Sequence, residues 1–167
     1  MTYLTIPLDS SFDRNSFSCG KISLDNYFHK QVSQDIKRKL AVCFVTVDIN
    51  NTIKGFYTLS NDNIPQELLP EEIRKKMPKS YTNLPTTLLG RLAVDLKYRK
   101  QGIGELLLID ALKRCYDVSN KSIGSMAVIV DPLDEQAISF YKKYGFIELP
   151  DSGRMFLPMK TISELFK

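Results

Sequence analysis

The residues best suited to chemistry stand together between positions 99 and 105. Arg99 is followed three residues later by Gly102 and then by Gly104, and a helical pattern of apolar residues begins directly after them. Glycine lets the backbone come close to a ligand. The first N–H groups of a helix lack intrahelical partners and lie at the positive end of its dipole. The stretch therefore predicts an anion site, and phosphate is the anion that this arrangement suits best.

A strand and a helix are predicted to hold this stretch in place. The apolar run Leu88–Val94 indicates a strand buried on both faces, and the apolar residues after Gly104 recur at helical spacing. Two nucleotide-binding motifs share this frame, but neither fits. Leu107 occupies the position of the third glycine of a dinucleotide fingerprint, and the Gly-Lys-Ser/Thr of a Walker loop is absent. Cys115 falls on the apolar face of the helix, which predicts a core residue and not a nucleophile.

Composition predicts one soluble domain spanning residues 1–167. Of these 167 residues, 43% are hydrophobic and 25% charged, the balance of a globular protein. No secretory signal or membrane-spanning run is visible, so we expect a cytoplasmic protein with no membrane association. Three scattered cysteines indicate reduced thiols. With one histidine and no Cys-x-x-Cys pair, we assign no metal.

The net charge of +4 is modest, but the positive residues cluster at 37–39, 74–76 and 97–100. Any one cluster fits an ordinary solvated face. Three in a chain of this size favour a polyanionic ligand, which is coenzyme A, a nucleic acid or both. Charge alone leaves that choice open.

The remaining pattern predicts a mixed α/β chain with one sheet. Strands are expected over residues 2–7, 41–48, 53–60, 125–131, 146–149 and 155–159. Helices are expected over 24–39, with Ser23 as the N-cap, over 65–77, and from an Asp134 N-cap to a terminating Gly145. Pro78 and Pro85 bracket a predicted loop, His29 is expected to face solvent, and residues 161–167 form a last helical turn.

A second motif follows the predicted strand over 125–131, and it makes a family resemblance specific. Together with Arg99-x-x-Gly102-x-Gly104, it resembles the sequence of GCN5-related N-acetyltransferases (GNAT), with Asp in place of the common Asn at its first position: Asp134-x-x-Ala137-x-x-Phe140-Tyr141-x-x-x-Gly145-Phe146. The resemblance implies a GNAT fold: a single mixed, mostly antiparallel sheet with a splayed central strand pair, flanked by helices. It also implies acetyl-CoA as the cosubstrate.

The N-terminal half resembles one branch of that superfamily, the GNAT toxins of type II toxin–antitoxin systems. The matching residues are Phe17–Gly20, Leu24, Asp25, Tyr27, Phe28, Gln34, Asp35, Arg38, Phe44, Val45, Gly55–Ser60 and Leu89–Asp95. This resemblance implies acetylation of the α-amine of aminoacyl-tRNA, a block of translation, a ribbon-helix-helix antitoxin and a homodimer. Two alternatives remain: an acetyltransferase for a small amine or protein N-terminus, and a non-catalytic coenzyme A-binding regulatory module.

The resemblance also assigns the coenzyme contacts. The backbone of Leu92, Ala93 and Val94 would bind pantetheine and polarise the thioester carbonyl. Arg99 would add charge-assisted hydrogen bonds to the pyrophosphate. The other residues assigned to acetyl-CoA are Lys100, Gln101, Gly102, Ile103, Gly104, Glu105, Asp134 and Phe140.

Tyr141 is the predicted general acid. A phenol has an unperturbed pKa of about 10, so it is protonated at neutral pH and can donate to the departing thiolate. The resemblance places Tyr141 at the catalytic tyrosine of the family. No side chain stands out as a base. An α-amine has a pKa of about 8 and a lysine amine about 10.4, so the missing base favours an aminoacyl ester over a protein lysine.

Phosphate attraction is the expected basis for RNA binding, because it positions a nucleic acid without reading its bases. Some positive residues lie beside the two motifs and others at the end of the first helix. The candidates are Lys37, Arg38, Arg91, Lys142 and Lys143.

Overall fold

The computed structural model describes residues 2–167, which form two compact units. The first unit contains the chain up to Ser60 together with Leu89–Leu112, and the second contains Asn61–Leu88 with Lys113–Lys167. Two long strands, Ile53–Pro65 and Asn83–Val94, each contribute residues to both units.

Residues 2–167 form seven strands and six α-helices. The strands are β1 (Ile6–Pro7), β2 (Val42–Val47), β3 (Ile53–Pro65), β4 (Asn83–Val94), β5 (Ala127–Val130), β6 (Ile147–Glu148) and β7 (Met155–Pro158). The helices are α1 (Ile22–Asn26), α2 (Val32–Lys37), α3 (Glu71–Arg74), α4 (Ile103–Lys121), α5 (Glu135–Lys143) and α6 (Met159–Leu165). A π-helical segment, Tyr27–Gln31, joins α1 to α2, and short 3-10 turns occupy Gln66–Leu68 and Leu96–Tyr98. Within residues 2–167, no helix is both long and apolar enough to cross a bilayer.

The strands belong to one sheet in the order β1-β2-β3-β4-β5-β7-β6. The pairs β1–β2, β2–β3, β5–β7 and β6–β7 are antiparallel, while β4 and β5 are parallel. The parallel pair is short, since Thr87 aligns with Val128 and Leu88 with Ile129. In the first unit α2 packs on β2, and in the second α6 packs on β5 and β7. The expected mixed, mostly antiparallel sheet flanked by helices is confirmed.

Aromatic packing anchors the first unit. The rings of Phe28 and Phe56 stack with their centroids 4.2 Å apart, and Phe17 meets them edge-on at 4.9 and 5.4 Å. Aromatic contacts of this kind add about 0.5–1.5 kcal/mol each beyond the area they bury. Because Phe17 is fixed in this way, the chain that follows it is held against the helical segment.

A separate apolar cluster stabilises the second unit. It contains Ile64, Leu69, Leu84, Ala127, Ile129, Leu149 and Phe156. Arg154, just before β7, bonds to two carboxylates: Asp62 on β3 and Asp131 at the end of β5. These contacts fix the chain where it leaves β5 towards α5.

Several predicted element boundaries are wrong. Only Ile6 and Pro7 of the first predicted strand pair with β2, since the Leu4 N–H and the Thr5 hydroxyl donate to the buried Asp110 carboxylate instead. The predicted helix over 65–77 is a 3-10 turn and one α-helical turn, because Pro70 interrupts it and stands at the N-cap of α3.

The loop predicted between Pro78 and Pro85 is present but ends early, because β4 already starts at Asn83. Strand β3 is longer than predicted and extends to Pro65. Pro85 fits within a strand because its carbonyl still accepts a hydrogen bond from the Met126 N–H. Its nitrogen carries no hydrogen, so the strand loses one donor at this position. Ser23 is not an N-cap, because helix α1 begins at Ile22 with Lys21 in the capping position.

Candidate active site

The predicted phosphate loop has the backbone of an anion site. Lys100 and Gly102 have positive φ angles of 63° and 75°. The first helical bond of α4 runs from the Leu106 N–H to the Gly102 carbonyl at 3.1 Å, so the N–H groups just before it lack intrahelical acceptors. A Cβ placed on Gly102 would meet no atom within 4 Å. The loop therefore combines N–H groups that lack intrahelical acceptors with open space beside Gly102.

The segment Phe17–Gly20 positions this loop within the first unit. Asp95, 3% exposed, accepts hydrogen bonds from the backbone N–H groups of Ser18 at 3.1 Å and Lys97 at 2.8 Å. The Leu96 N–H returns a bond to the Ser18 carbonyl at 2.9 Å. These contacts fix the end of β4 and hence the start of the loop.

Arg99 is held by the same segment. Its Nη2 donates to the Cys19 carbonyl at 2.6 Å, while the residue as a whole is exposed. The bond occupies only part of the guanidinium, which carries five N–H donors. The remaining donors leave Arg99 able to bind a pyrophosphate, so its predicted role stays a prediction.

The predicted pantetheine strand lies close to its neighbour. A Cβ on Gly55 of β3 would lie 2.9 Å from the Ala93 carbonyl and 2.8 Å from Leu107 Cδ1. Only glycine permits this approach of two backbones. It sets the position of Leu92–Val94 within the first unit.

Tyr141 is buried on α5 in the second unit. It is 8% exposed, and its ring packs against Phe140 and Phe146 at centroid distances of 5.3 and 5.2 Å. Burial raises the pKa of its phenol above the ordinary value of 10.0. Among residues 2–167 its hydroxyl has no hydrogen-bond partner, so its proton is not committed within the protein.

The helix that carries Tyr141 has the predicted caps. The Asp134 carboxylate accepts from the Ala137 N–H at 2.9 Å, which confirms Asp134 as the N-cap. Gly145, with φ +94°, ends the helix, and the Phe146 N–H bonds back to the Tyr141 carbonyl at 3.1 Å. Phe140 packs between Tyr141 and Tyr144. The coenzyme contacts predicted for Asp134 and Phe140 stay predictions.

The predicted RNA-binding cations divide between the two units. Lys37 and Arg38 are exposed at the end of α2, in the same unit as Arg91. Lys142 and Lys143 are exposed on α5 in the second unit, where Lys142 forms an ion pair with Glu148 at 3.4 Å. Lys143 lies 5.5 Å from the Tyr144 ring centroid.

Arg91 contacts Tyr27, which in turn bonds to Asp35, and the sequence suggested no role for Tyr27 or Asp35. Its guanidinium carbon lies 3.7 Å from the ring centroid of Tyr27, and the Tyr27 hydroxyl donates to the Asp35 carboxylate at 2.9 Å. Both residues belong to the toxin resemblance. That resemblance was the sequence signal for Tyr27 and Asp35. No motif in the neighbouring sequence indicated that Tyr27 contacts Arg91.

Three further expectations concern the cysteines, His29 and metal binding. Cys19, Cys43 and Cys115 are free and buried, as predicted for reduced thiols in the core. His29 does not simply face solvent, because its Nε2 lies 2.6 Å from the Phe17 carbonyl and the ring is half-buried. In residues 2–167, no three His, Cys, Asp or Glu side chains group as a metal site requires.

The chain resembles known proteins along nearly its whole length. A model of the acetyltransferase (GNAT) domain matches residues 39–148. The chain is 36% identical over 154 residues to a tRNA-acetylating toxin of Mycobacterium tuberculosis, covering 92% of this chain and 90% of the relative. It is 35% identical over 169 residues to a probable toxin TacT of Sinorhizobium fredii, covering 95% and 92%.

Solved structures share this fold. AtaT complexed with acetyl-methionyl-tRNAfMet matches with a TM-score of 0.88 at 29% identity, over 98% of both chains. A tyrosine-to-phenylalanine mutant of AtaT, bound to the C-terminus of the antitoxin AtaR and acetyl-CoA, matches with a TM-score of 0.81 at 25% identity, over 98% of this chain and 97% of that one. With the phosphate loop described above, these findings show that the chain belongs to the GNAT acetyltransferase family and is an acetyl-CoA-dependent N-acetyltransferase.

Proposed function

We propose that this enzyme acetylates the α-amine of aminoacyl-tRNA, and that it blocks translation as the toxin of a toxin–antitoxin pair. The observation that carries the proposal is the extent of the similarity. The tRNA-acetylating toxin is 36% identical over 92% of this chain, and a family model of the acetyltransferase domain accounts only for residues 39–148. The N-terminal segment outside that model bears the contacts to Arg99 and Arg91.

The phosphate loop is proposed to bind the pyrophosphate of acetyl-CoA. Backbone N–H groups at residues 101–105, together with Lys100 and Arg99, would supply hydrogen bonds and positive charge. Amides of Leu92–Val94 would hold the pantetheine arm and polarise the thioester carbonyl. Asp134 and Phe140 are assigned to the coenzyme through the family motif. In this view residues 1–167 form one catalytic domain.

Tyr141 is proposed to donate a proton to the departing coenzyme A thiolate. Its raised pKa keeps the phenol protonated over the physiological range. Its hydroxyl has no acceptor among residues 2–167, which leaves the proton available to a bound substrate. General acid catalysis of this kind contributes about 10²–10⁴-fold in rate.

The acceptor amine is proposed to react without a dedicated base. An α-amine has a pKa of about 8, and esterification of its carboxyl group lowers that value further. An aminoacyl ester therefore presents much neutral amine at physiological pH. Lys37, Arg38, Arg91, Lys142 and Lys143 are proposed to attract the RNA phosphates.

The proposed protein partners are inferred from the similarity to the toxins. An AtaT mutant has been solved with the C-terminus of its antitoxin AtaR. We extend this to a ribbon-helix-helix antitoxin for the present protein, to a homodimer and to a cytoplasmic location. An acetyltransferase for a small amine or protein N-terminus is the remaining candidate, because it would use the same coenzyme loop.

A transfer assay with labelled acetyl-CoA and total charged bacterial tRNA tests the substrate and the acid together. The wild type should label the aminoacyl end, and Tyr141→Phe should lose about 10²–10⁴-fold in turnover while it still binds acetyl-CoA. Tyr144→Phe is the matched control, since Tyr144 packs on the same Phe140 ring. Label that never reaches charged tRNA, in an enzyme that binds acetyl-CoA, would refute the substrate. Equal losses in both variants would refute the acid role.

A further inference from the structure

Arg91 is a partly buried cation without an anionic partner in residues 2–167. No carboxylate pairs with it there, and its side chain donates no hydrogen bond to the protein. The guanidinium instead lies over the ring of Tyr27, with its central carbon 3.7 Å from the ring centroid. Partial burial of an unpaired charge costs free energy, of which a cation–π contact returns a part. The guanidinium carries five N–H donors, and none of them donates to another group within residues 2–167, so they remain for a ligand.

The Tyr27 ring is itself fixed. It is 5% exposed, and its hydroxyl donates to Asp35 Oδ2 at 2.9 Å. Burial, with a smaller contribution from the Asp35 hydrogen bond, raises the pKa of this phenol, while the Arg91 charge opposes the rise. The phenol therefore stays a neutral donor to the carboxylate, and the ring under Arg91 cannot turn away freely.

The π-helical segment makes this contact possible. Tyr27 and Asp35 are eight positions apart, which in a regular α-helix would place them about 80° apart around the axis. The bond from the Val32 N–H to the Tyr27 carbonyl is a π-helical one, and such a turn takes up one additional residue. Eight positions then count as about seven α-helical steps, which leaves the two side chains within about 20° of each other.

The charges around Arg91 point to a phosphate of the acceptor. Asp35 lies on α2, whose last residue is Lys37, and Arg38 follows, so this end of the helix adds two exposed cations. The phosphate loop assigned to the coenzyme begins at Arg99, beyond Leu92–Val94 on β4. Arg91 precedes the residues assigned to pantetheine along β4, whereas Arg99 follows them, and this placement favours the acceptor over the coenzyme pyrophosphate as the ligand of Arg91.

We infer that Tyr27 and Asp35 are positioning residues that hold the Arg91 guanidinium for a phosphate group of the acceptor RNA. This inference rests on the proposed function and names a part of its substrate site. Of these three residues, only Arg91 then contacts the RNA, and Tyr27 and Asp35 act through it.

Steady-state kinetics with charged tRNA and acetyl-CoA test the inference. Arg91→Ala should raise the KM for charged tRNA roughly ten- to hundredfold, because a hydrogen-bonded charge pair is lost. It should leave the KM for acetyl-CoA within about twofold and reduce the slope of log kcat/KM against log salt by about 0.7–0.9, the contribution of one phosphate. Tyr27→Phe and Asp35→Ala remove the bond between the two side chains but keep an aromatic ring under Arg91, and each should raise the KM for charged tRNA a few-fold, with kcat retained.

Tyr98→Phe is the matched control. The Tyr98 hydroxyl donates to Asp48 at 2.7 Å, so the substitution removes a tyrosine–aspartate bond of the same kind in the same unit. It should leave the KM for charged tRNA and the salt slope unchanged. A purely structural role for Tyr27 would lower the melting temperature and the amount of active enzyme but would not move the KM or the salt slope.

The outcomes separate the inference from the proposed function. A wild type that labels no charged tRNA overturns both. A wild type that labels it, combined with an Arg91→Ala variant of unchanged KM and salt slope, overturns the inference alone. A rise in the KM for acetyl-CoA without one for charged tRNA would assign the phosphate to the coenzyme and overturn its assignment to the acceptor.

Discussion

Gly102→Ala tests whether the phosphate loop binds acetyl-CoA through close backbone approach. Gly102 has φ +75°, and an added Cβ would meet no protein atom within 4 Å. The substitution therefore causes no clash inside the protein. Its effects are limited to backbone strain and to the space in front of the loop, where the pyrophosphate is expected.

The two effects have different magnitudes. A left-handed conformation costs an alanine about 1–2 kcal/mol, and each kcal/mol lowers the melting temperature of a chain of this size by about 2–4 °C. The methyl group also keeps the ligand from the backbone donors. Loss of one hydrogen bond to a charged group costs about 1.5–3 kcal/mol, which is roughly a ten- to hundredfold rise in the Kd for acetyl-CoA.

Gly153→Ala is the matched control for strain. Gly153 has φ +71°, and its added Cβ also meets nothing within 4 Å, but it lies in the turn before β7. Titration calorimetry with acetyl-CoA and thermal unfolding should be measured on both variants. We expect similar losses of melting temperature, with a weaker acetyl-CoA affinity only for Gly102→Ala.

Two results would refute this reasoning. If Gly102→Ala binds acetyl-CoA as tightly as the wild type, the open space before the loop is not the pyrophosphate site. If Gly153→Ala weakens binding to the same extent, strain and not ligand access explains the loss. Each result is read from the Kd, so a lower melting temperature by itself decides neither.

Two further predictions concern packing and pH. Gly55→Ala should lower the free energy of unfolding by about 1–3 kcal/mol in urea titrations, because its Cβ would overlap the Ala93 carbonyl and Leu107; an unchanged midpoint would contradict that overlap. Burial raises the pKa of the Cys115 thiol from 9.0 to about 12, so above pH 9 the unfolded chain releases a proton that the folded chain keeps. Stability should be retained below pH 9 and lost towards pH 12, with Cys115 contributing up to about 1.4 kcal/mol per pH unit. In urea titrations at pH 8 and 10, the free energy of unfolding of Cys115→Ala should fall less between the two pH values than that of the wild type. An equal fall in both proteins would count against this contribution.

The sequence predicted those parts of the site that depend on local chemistry. The strand, glycine turn and helix around Gly102 follow from apolar runs and from glycine at a helix entry, and the structure has all three. The Asp134 N-cap and the terminal Gly145 of α5 are likewise set by neighbouring residues. Such features need no information from distant parts of the chain, so they could be found in advance.

Features that depend on distant partners were missed. The long β3 and β4 strands form through pairing with other strands. Pro65 at the end of β3 and Pro85 within β4 do not prevent that pairing. The first strand is short because Asp110, a residue of α4, captures the donors of Leu4 and Thr5. The π-helical segment is also invisible to a pattern search based on 3.6 residues per turn.

The helical N-terminal segment explains why the toxin-like pattern extends so far from the coenzyme motif. Phe17–Gly20 holds the phosphate loop through Asp95 and Arg99, whereas Tyr27 and Asp35 hold Arg91. Within residues 2–167, no hydrogen bond joins the contacts of Phe17–Gly20 to those of Tyr27 and Asp35, although Phe17 and Tyr27 belong to the same apolar core. Residues in one set can therefore change without breaking the hydrogen bonds of the other. With the roles proposed for Arg91 and for the loop at residues 99–105, substitutions at positions 27 and 35 should alter acceptor binding and leave acetyl-CoA binding intact.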